Sequence, residues 1–146
     1  MTTTTELAGK VALVTGASRN IGRAIALSLA AGGAAVAVNS RASKEDADKV
    51  VGEIRAAGGQ AETYLADIVD PKAVNAMVEG VVKRFGRLDF LDNNVGIGSR
   101  GSVVDETQEN WRRVMQVNVE TMFLASKHAI PAMIRGGGGA IVNVSS

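Results

Sequence analysis

KVALVTGASRNIGRAIALSLAAGG, Lys10 to Gly33, is the stretch on which the fold turns. A short apolar run ends at Thr15 and Gly16, and a second segment then places Ile21, Ile25 and Leu29 four residues apart. This pattern predicts a strand, a tight glycine turn and a helix. The same alternation continues outward. AAVAVN (Ala34 to Asn39) reads as a second strand, and SKEDADKVVGEIRAAGG as a helix capped by Ser43 with Asp46 three residues on, its apolar stripe being Ala47, Val50, Val51 and Ile54. AETYLAD (Ala61 to Asp67) is a third strand. The next helix has Asp70 as N-cap, Pro71 at its first position and Gly86 at its end, and turns Val74, Met77, Val78, Val81 and Phe85 inward. LDFLDNN (Leu88 to Asn94) supplies strand four, a long helix runs from about Thr107 to Ile134, and AIVNVSS (Ala140 to Ser146) supplies strand five. Five strands alternating with four helices predict an α/β fold with a doubly wound parallel sheet, because parallel strands need helical crossovers.

Composition narrows the function. The 146 residues suit one domain, and 46% hydrophobic content is enough for a core. Sixteen Lys and Arg balance fifteen Asp and Glu without a basic cluster, which argues against a nucleic-acid partner. With no cysteine and one histidine, His128, neither a disulfide framework nor a metal site is expected. The opening MTTTTELAGK has no basic or apolar signal region and no later run reaches membrane-spanning length, so we expect a cytoplasmic protein with residues 1–6 as a flexible tail.

The residues with chemical promise begin at TGASRNIG, where the first strand meets the first helix. A phosphate group there can use a helix N-terminus and exposed backbone amides. Gly16 makes the turn, Gly22 lets helix and sheet approach closely, and Ser18 and Arg19 donate to phosphate oxygens. An isolated glycine turn serves equally well in α/β proteins that bind no phosphate. His128 reads as a surface or interface residue, Trp111 and Met115, Met122 and Met133 as core or interface packing, and Tyr64 as a strand residue against a helix.

The spacing G-x-x-x-N-x-G resembles that of the short-chain dehydrogenase/reductase family. Ala66-Asp67, NNVG from Asn93 to Gly96, VNV around Asn118 and the terminal NVSS follow the same family pattern in order. The resemblance runs from Leu7 to Ser146 and implies a Rossmann-type NAD(P)-binding domain over 7–146, ending before the family's Tyr-x-x-x-Lys segment. It assigns the pyrophosphate to Gly16, Ser18, Arg19, Asn20, Ile21 and Gly22, and the adenine to Asp67 and Ile68. Asn94 and Gly96 line the cofactor cleft, Asn118 holds an active-site water, and Ser146 aligns with the serine that polarises the substrate carbonyl. It also implies an oxidoreductase interconverting a ketone and a secondary alcohol by hydride transfer. Within the family, the stretch from Val38 to Gln60 is most similar to 3-oxoacyl carrier protein reductases and glucose dehydrogenases.

NADP is expected over NAD. Dinucleotide folds that bind NAD place a carboxylate after strand two, whereas Ser40 and Arg41 stand there in this chain. Arg41 also fits the plainer reading of a solvated loop side chain. The family's catalytic tyrosine and lysine have no counterpart: the one tyrosine, Tyr64, is followed four residues later by Ile68. The 146 residues alone are therefore expected to be inactive, and two further readings stand beside the enzyme: a non-catalytic dinucleotide-binding or oligomerisation module, and a segment of a longer product. A homo-oligomer through the long helix 107–134 is expected. Asn20, Val95 and Asp92 depart from the family pattern, and Asp92 places a carboxylate in a strand expected to be buried on both faces.

Overall fold

A computed structural model describes residues 5–145. Five parallel strands form one sheet in the order β3-β2-β1-β4-β5: β1 (Val11–Val14), β2 (Ala35–Ser40), β3 (Ala61–Leu65), β4 (Phe90–Asn93) and β5 (Ala140–Asn143). The strand order reverses beside β1, between β2 and β4. In doubly wound sheets this reversal opens a crevice at the carboxyl ends of the strands.

The alternation of side chains along β1 divides the core in two. Val11 and Leu13 face one layer, where they meet Leu91 together with Val74, Met77 and Val81 of α3 (Pro71–Phe85) and Ala125, Ala129 and Met133 of α5 (Thr121–Arg135). Val14 faces the other, with Val36 and Val38 against Ala26 of α1 (Asn20–Ala31) and Val50 and Ile54 of α2 (Lys44–Ala56). The expected stripes of α2 and α3 are buried, with Phe85 at the margin. Asp70 caps α3, its carboxylate accepting the Lys72 N–H at 2.9 Å, and Gly86 closes the helix in the left-handed conformation.

Four expectations are corrected or refined. In α1 the fully buried positions are Gly22 and Ala26, Ile25 and Leu29 pack half-buried against the same core, and Ile21 is 60% exposed: small residues make the closest approach to the sheet and larger ones flank it. Ser43 stands at the N-cap of α2, but its side chain makes no capping bond. The long helix runs unbroken from Gln108 to Arg135, as α4 (Gln108–Met115), a π turn (Gln116–Glu120) that the sequence did not announce, and α5, with Thr107 capping its start through the Asn110 N–H. Thr5 and Glu6, placed in the tail, lie in or beside an ordered turn: the Thr5 carbonyl accepts the Ala8 N–H, and Leu7 bonds to Gly32. Residues 1–4 fall outside the described residues.

At the amino ends of the strands, Asp89 ties three elements together. Its side chain, 3% exposed, accepts the Val11 N–H at 2.9 Å and both Arg87 donors at 2.7 and 2.8 Å, with Lys10 at 3.6 Å. Arg87 also donates to the Gly136 carbonyl beyond α5. Burial pushes the Asp89 carboxyl up, but Arg87, the Val11 amide and Lys10 outweigh it and hold the group below its ordinary value. A depressed carboxyl contributes stability that is fully present above its unfolded pKa of about 3.9 and is lost as pH falls through the folded value. Asp89→Asn is therefore expected to lower stability at neutral pH by about 3 kcal/mol and to flatten its decline in acid. Urea midpoints measured across acid pH check this; a parallel acid decline in both proteins contradicts it.

Candidate functional site: the crevice at the carboxyl ends of the strands

The turn after β1 carries the site. Gly16 adopts a φ of +60°, which admits a side chain only under strain. A Cβ on Gly22 would lie 2.3 Å from the Gly16 carbonyl oxygen, so the first turn of α1 rests directly on the strand end. Asn20 holds φ at +50°, a left-handed position at which asparagine is the best tolerated residue after glycine.

This geometry leaves the helix N-terminus receptive to an anion. Arg19, at the N-cap, provides no side-chain acceptor, and the first turn holds no acidic residue. The other helix starts differ. Asp70 and Thr107 close α3 and α4 with their own oxygens, and α2, although uncapped, carries Glu45 and Asp46 in its first turn. Only α1 among these four offers free first-turn amides without a negative charge beside them.

Neighbouring strand ends hold the turn in place. The Asn39 side chain of β2 accepts the Gly16 N–H at 3.2 Å and donates to the carbonyls of Tyr64 and Ala66. The Thr15 hydroxyl donates to the Asp92 carbonyl at 3.2 Å and accepts the Asn94 N–H at 3.0 Å. Asn94 returns its side-chain amide to the carbonyls of Thr15 and Gly16. Val95 packs a methyl group against Gly16, within 2.8 Å of where a Cβ on that glycine would stand. Thr15 and Asn39 were not singled out in the sequence; their partners lie up to 80 residues away and nothing local announces them.

The family model described as short chain dehydrogenase matches residues 10–146. The chain belongs to the short-chain dehydrogenase family. It is 47% identical over 141 residues to an uncharacterized oxidoreductase of Methylorubrum extorquens, a match covering 97% of this chain and 56% of that protein. It is 45% identical over 137 residues to the 3-oxoacyl-[acyl-carrier-protein] reductase FabG of Staphylococcus aureus, covering 94% and 56%. Among solved structures, a 7α-hydroxysteroid dehydrogenase complexed with NADH and 7-oxo glycochenodeoxycholic acid superposes with a TM-score of 0.91 at 35% identity, covering 97% of this chain and 55% of that one. A short-chain dehydrogenase from Burkholderia cenocepacia in complex with NADP superposes with a TM-score of 0.82 at 46% identity, covering 87% and 52%. The chain thus spans about half the length of the family members it matches.

Most residues singled out in the sequence lie at the strand ends or in the segments that follow them. Gly16 to Arg19 form the β1–α1 turn and Asn20 to Gly22 open α1, Arg41 follows β2 and is exposed, and Asp67 and buried Ile68 follow β3, where Asp67 accepts the Val69 N–H. Asn94 and Gly96 follow β4. Asn118 sits in the π turn and grips the loop after β4 twice: its side chain accepts the Ile97 N–H and donates to the Ile97 carbonyl, each at 2.8 Å. That leaves one amide hydrogen and one oxygen lone pair for a water. Ser146 lies outside the described residues. Asp92 has its Oδ1 buried without a hydrogen-bond partner among the described residues, and burial pushes its carboxyl up. Among the described residues no group of three His, Cys, Asp or Glu is placed to hold a metal, and no helix is long and apolar enough to cross a membrane.

Two glycines separate close approach from simple helix propensity. Gly22→Ala is expected to cost about 1–3 kcal/mol by overpacking, because its Cβ meets backbone. Gly52→Ala in α2, where nothing lies within 4 Å, is expected to gain up to about 1 kcal/mol. Equal effects in denaturant unfolding would contradict the contact between turn and strand.

Proposed function

We propose that this chain is the cofactor-binding half of an NADP-dependent oxidoreductase that interconverts a ketone and a secondary alcohol, and that it works as part of a longer polypeptide. The uncapped, acid-free N-terminus of α1 behind a glycine wall carries the reading: it is the shape and charge that a pyrophosphate requires. In this reading Gly16, Ser18, Arg19, Asn20, Ile21 and Gly22 bind the pyrophosphate, and Asp67 and Ile68 border the adenine. Asn94 and Gly96 line the cleft toward the nicotinamide. When bound, the dinucleotide supplies the hydride. Ser146 polarises the substrate carbonyl, and Asn118 holds a water while fixing the loop at Ile97.

The preference for NADP rests on charge. No carboxylate follows β2 to meet a ribose hydroxyl, and Arg41 is exposed beside Ser40. Among the described residues Arg19 and Arg41 enter no ion pair, which they share with Arg55, Arg100, Arg112, Arg113 and Arg135; their place after β1 and β2, at the carboxyl ends of the strands, sets these two apart. Two unpaired guanidinium groups suit a 2′-phosphate.

A second reading, a dinucleotide-binding or oligomerisation module without chemistry, is favoured by Tyr64. This tyrosine, the chain's one candidate for a phenolic acid, donates its hydroxyl to the Gly80 carbonyl at 3.2 Å, and burial pushes its pKa up. A positioned acid is commonly worth about 10²- to 10⁴-fold in rate, so the 146 residues alone bind without appreciable turnover. Trp111, Phe123 and Ile134 are 58%, 60% and 70% exposed along the α4–α5 helices, a surface suited to a second copy of the chain. We place the protein in the cytoplasm.

Arg41→Asp is expected to weaken NADPH binding at least tenfold more than NADH binding, measured by calorimetry; equal loss removes the charge argument. The mass of the protein as its source produces it is expected to exceed the 15.1 kDa of this chain. A native product of 15.1 kDa, with NADPH bound and no ketone turned over, favours the module.

A further inference from the structure

β5 is covered on one face only. Ile141 joins the core with Leu91 against α5, while on the other face Ala140 is exposed and Val142 is 56% exposed. Asp92 belongs to this second face. The parallel register sets it between Val14 of β1 and Val142 of β5, and residues in register across a parallel sheet point the same way. Val14 is roofed by α1 and α2, so Asp92 stands where the helical cover ends and the open face begins.

Two aspartates on β4 and its approach are treated in opposite ways. Asp89, 2% exposed, is met by a backbone amide, an arginine and a lysine. Asp92, 8% exposed, has an oxygen with no hydrogen-bond partner and enters no ion pair among the described residues, and burial pushes its carboxyl up. Covering the β4–β5 face with apolar side chains alone would seal a lone carboxylate inside the protein, which is strongly unfavourable. Nearly half of each matched relative lies outside the region this chain covers, enough chain to roof that face.

We propose that the element covering the β4–β5 face in the longer polypeptide carries a lysine or arginine that pairs with Asp92. This inference rests on the half-chain reading above and adds to it a charge requirement on the covering element. A cation is favoured over a neutral donor because it cancels the charge as well as satisfying the oxygen, as Arg87 does for Asp89. Asp92 then acts as a positioning residue that sets which element docks beside β5. Its side chain makes none of the hydrogen bonds that hold the phosphate turn; it is the Asp92 backbone carbonyl that meets Thr15, and a side-chain substitution keeps that carbonyl.

The test uses the whole protein as its source makes it. Asp92→Val and Asp92→Asn are each expected to lower the melting temperature by several degrees, since each leaves the partner cation buried and alone. The wild-type Asp92 carboxyl, followed by ¹³C NMR, is expected to titrate below the usual range near about 3.9. If the variants fail to fold, that titration decides the matter alone. A melting temperature unchanged or raised in either variant overturns the pairing, with Asp92→Asn unchanged and Asp92→Val lowered pointing to a neutral donor instead. A carboxyl that titrates above the ordinary range overturns it too, and all these results leave the half-chain reading standing. A native product of 15.1 kDa overturns both.

Discussion

The contact between Gly22 and the Gly16 carbonyl governs the rest of the structure. With no Cβ at position 22, α1 settles onto the end of β1, and its first turn then faces the crevice where the strand order reverses. The Asn94 amide reaches both Thr15 and Gly16, and the Thr15 hydroxyl bridges to Asp92 and Asn94, so β1 and β4 are locked at the same point. Asn39 holds the turn from β2. One close approach, with hydrogen bonds on either side, thus fixes the start of α1 at the carboxyl ends of the strands.

The opposite end of the sheet does a different job. Asp89, Arg87 and Lys10 join the starts of β1 and β4 to the turn beyond α5. The Asp89 cluster at that end is paired and structural, whereas at the carboxyl end Arg19 and Arg41 enter no ion pair among the described residues. The division follows from the topology, because all five strands point the same way and their loops of one kind gather on one side.

How far this was legible in the sequence depends on residue size and range. The stripes of α2 and α3 were readable because large apolar residues alternate with charged ones, and Asp70, Pro71 and Gly86 mark the ends of α3 by local chemistry alone. In α1 the rule held in part: Ile25 and Leu29 pack against the core, but close packing selects Gly22 and Ala26 for the buried positions and leaves Ile21 exposed. The π turn around Asn118 has no compositional mark, since it changes which amide meets which carbonyl and not which residues are used. Thr15 and Asn39 escaped notice because their work is done across strands. Asp92 was conspicuous as a charge in a buried strand, but only the fold shows that it borders an open face and that one of its oxygens is unpartnered.

Chemical-shift mapping of the protein with NADPH tests the central claim most directly. The account predicts that the perturbed amides concentrate at Gly16 to Gly22, Arg41, Asp67, Ile68 and Asn94 to Gly96, all in the segments that follow strand ends. Perturbations gathered instead around Lys10, Arg87 and Asp89, at the other end of the sheet, would contradict it.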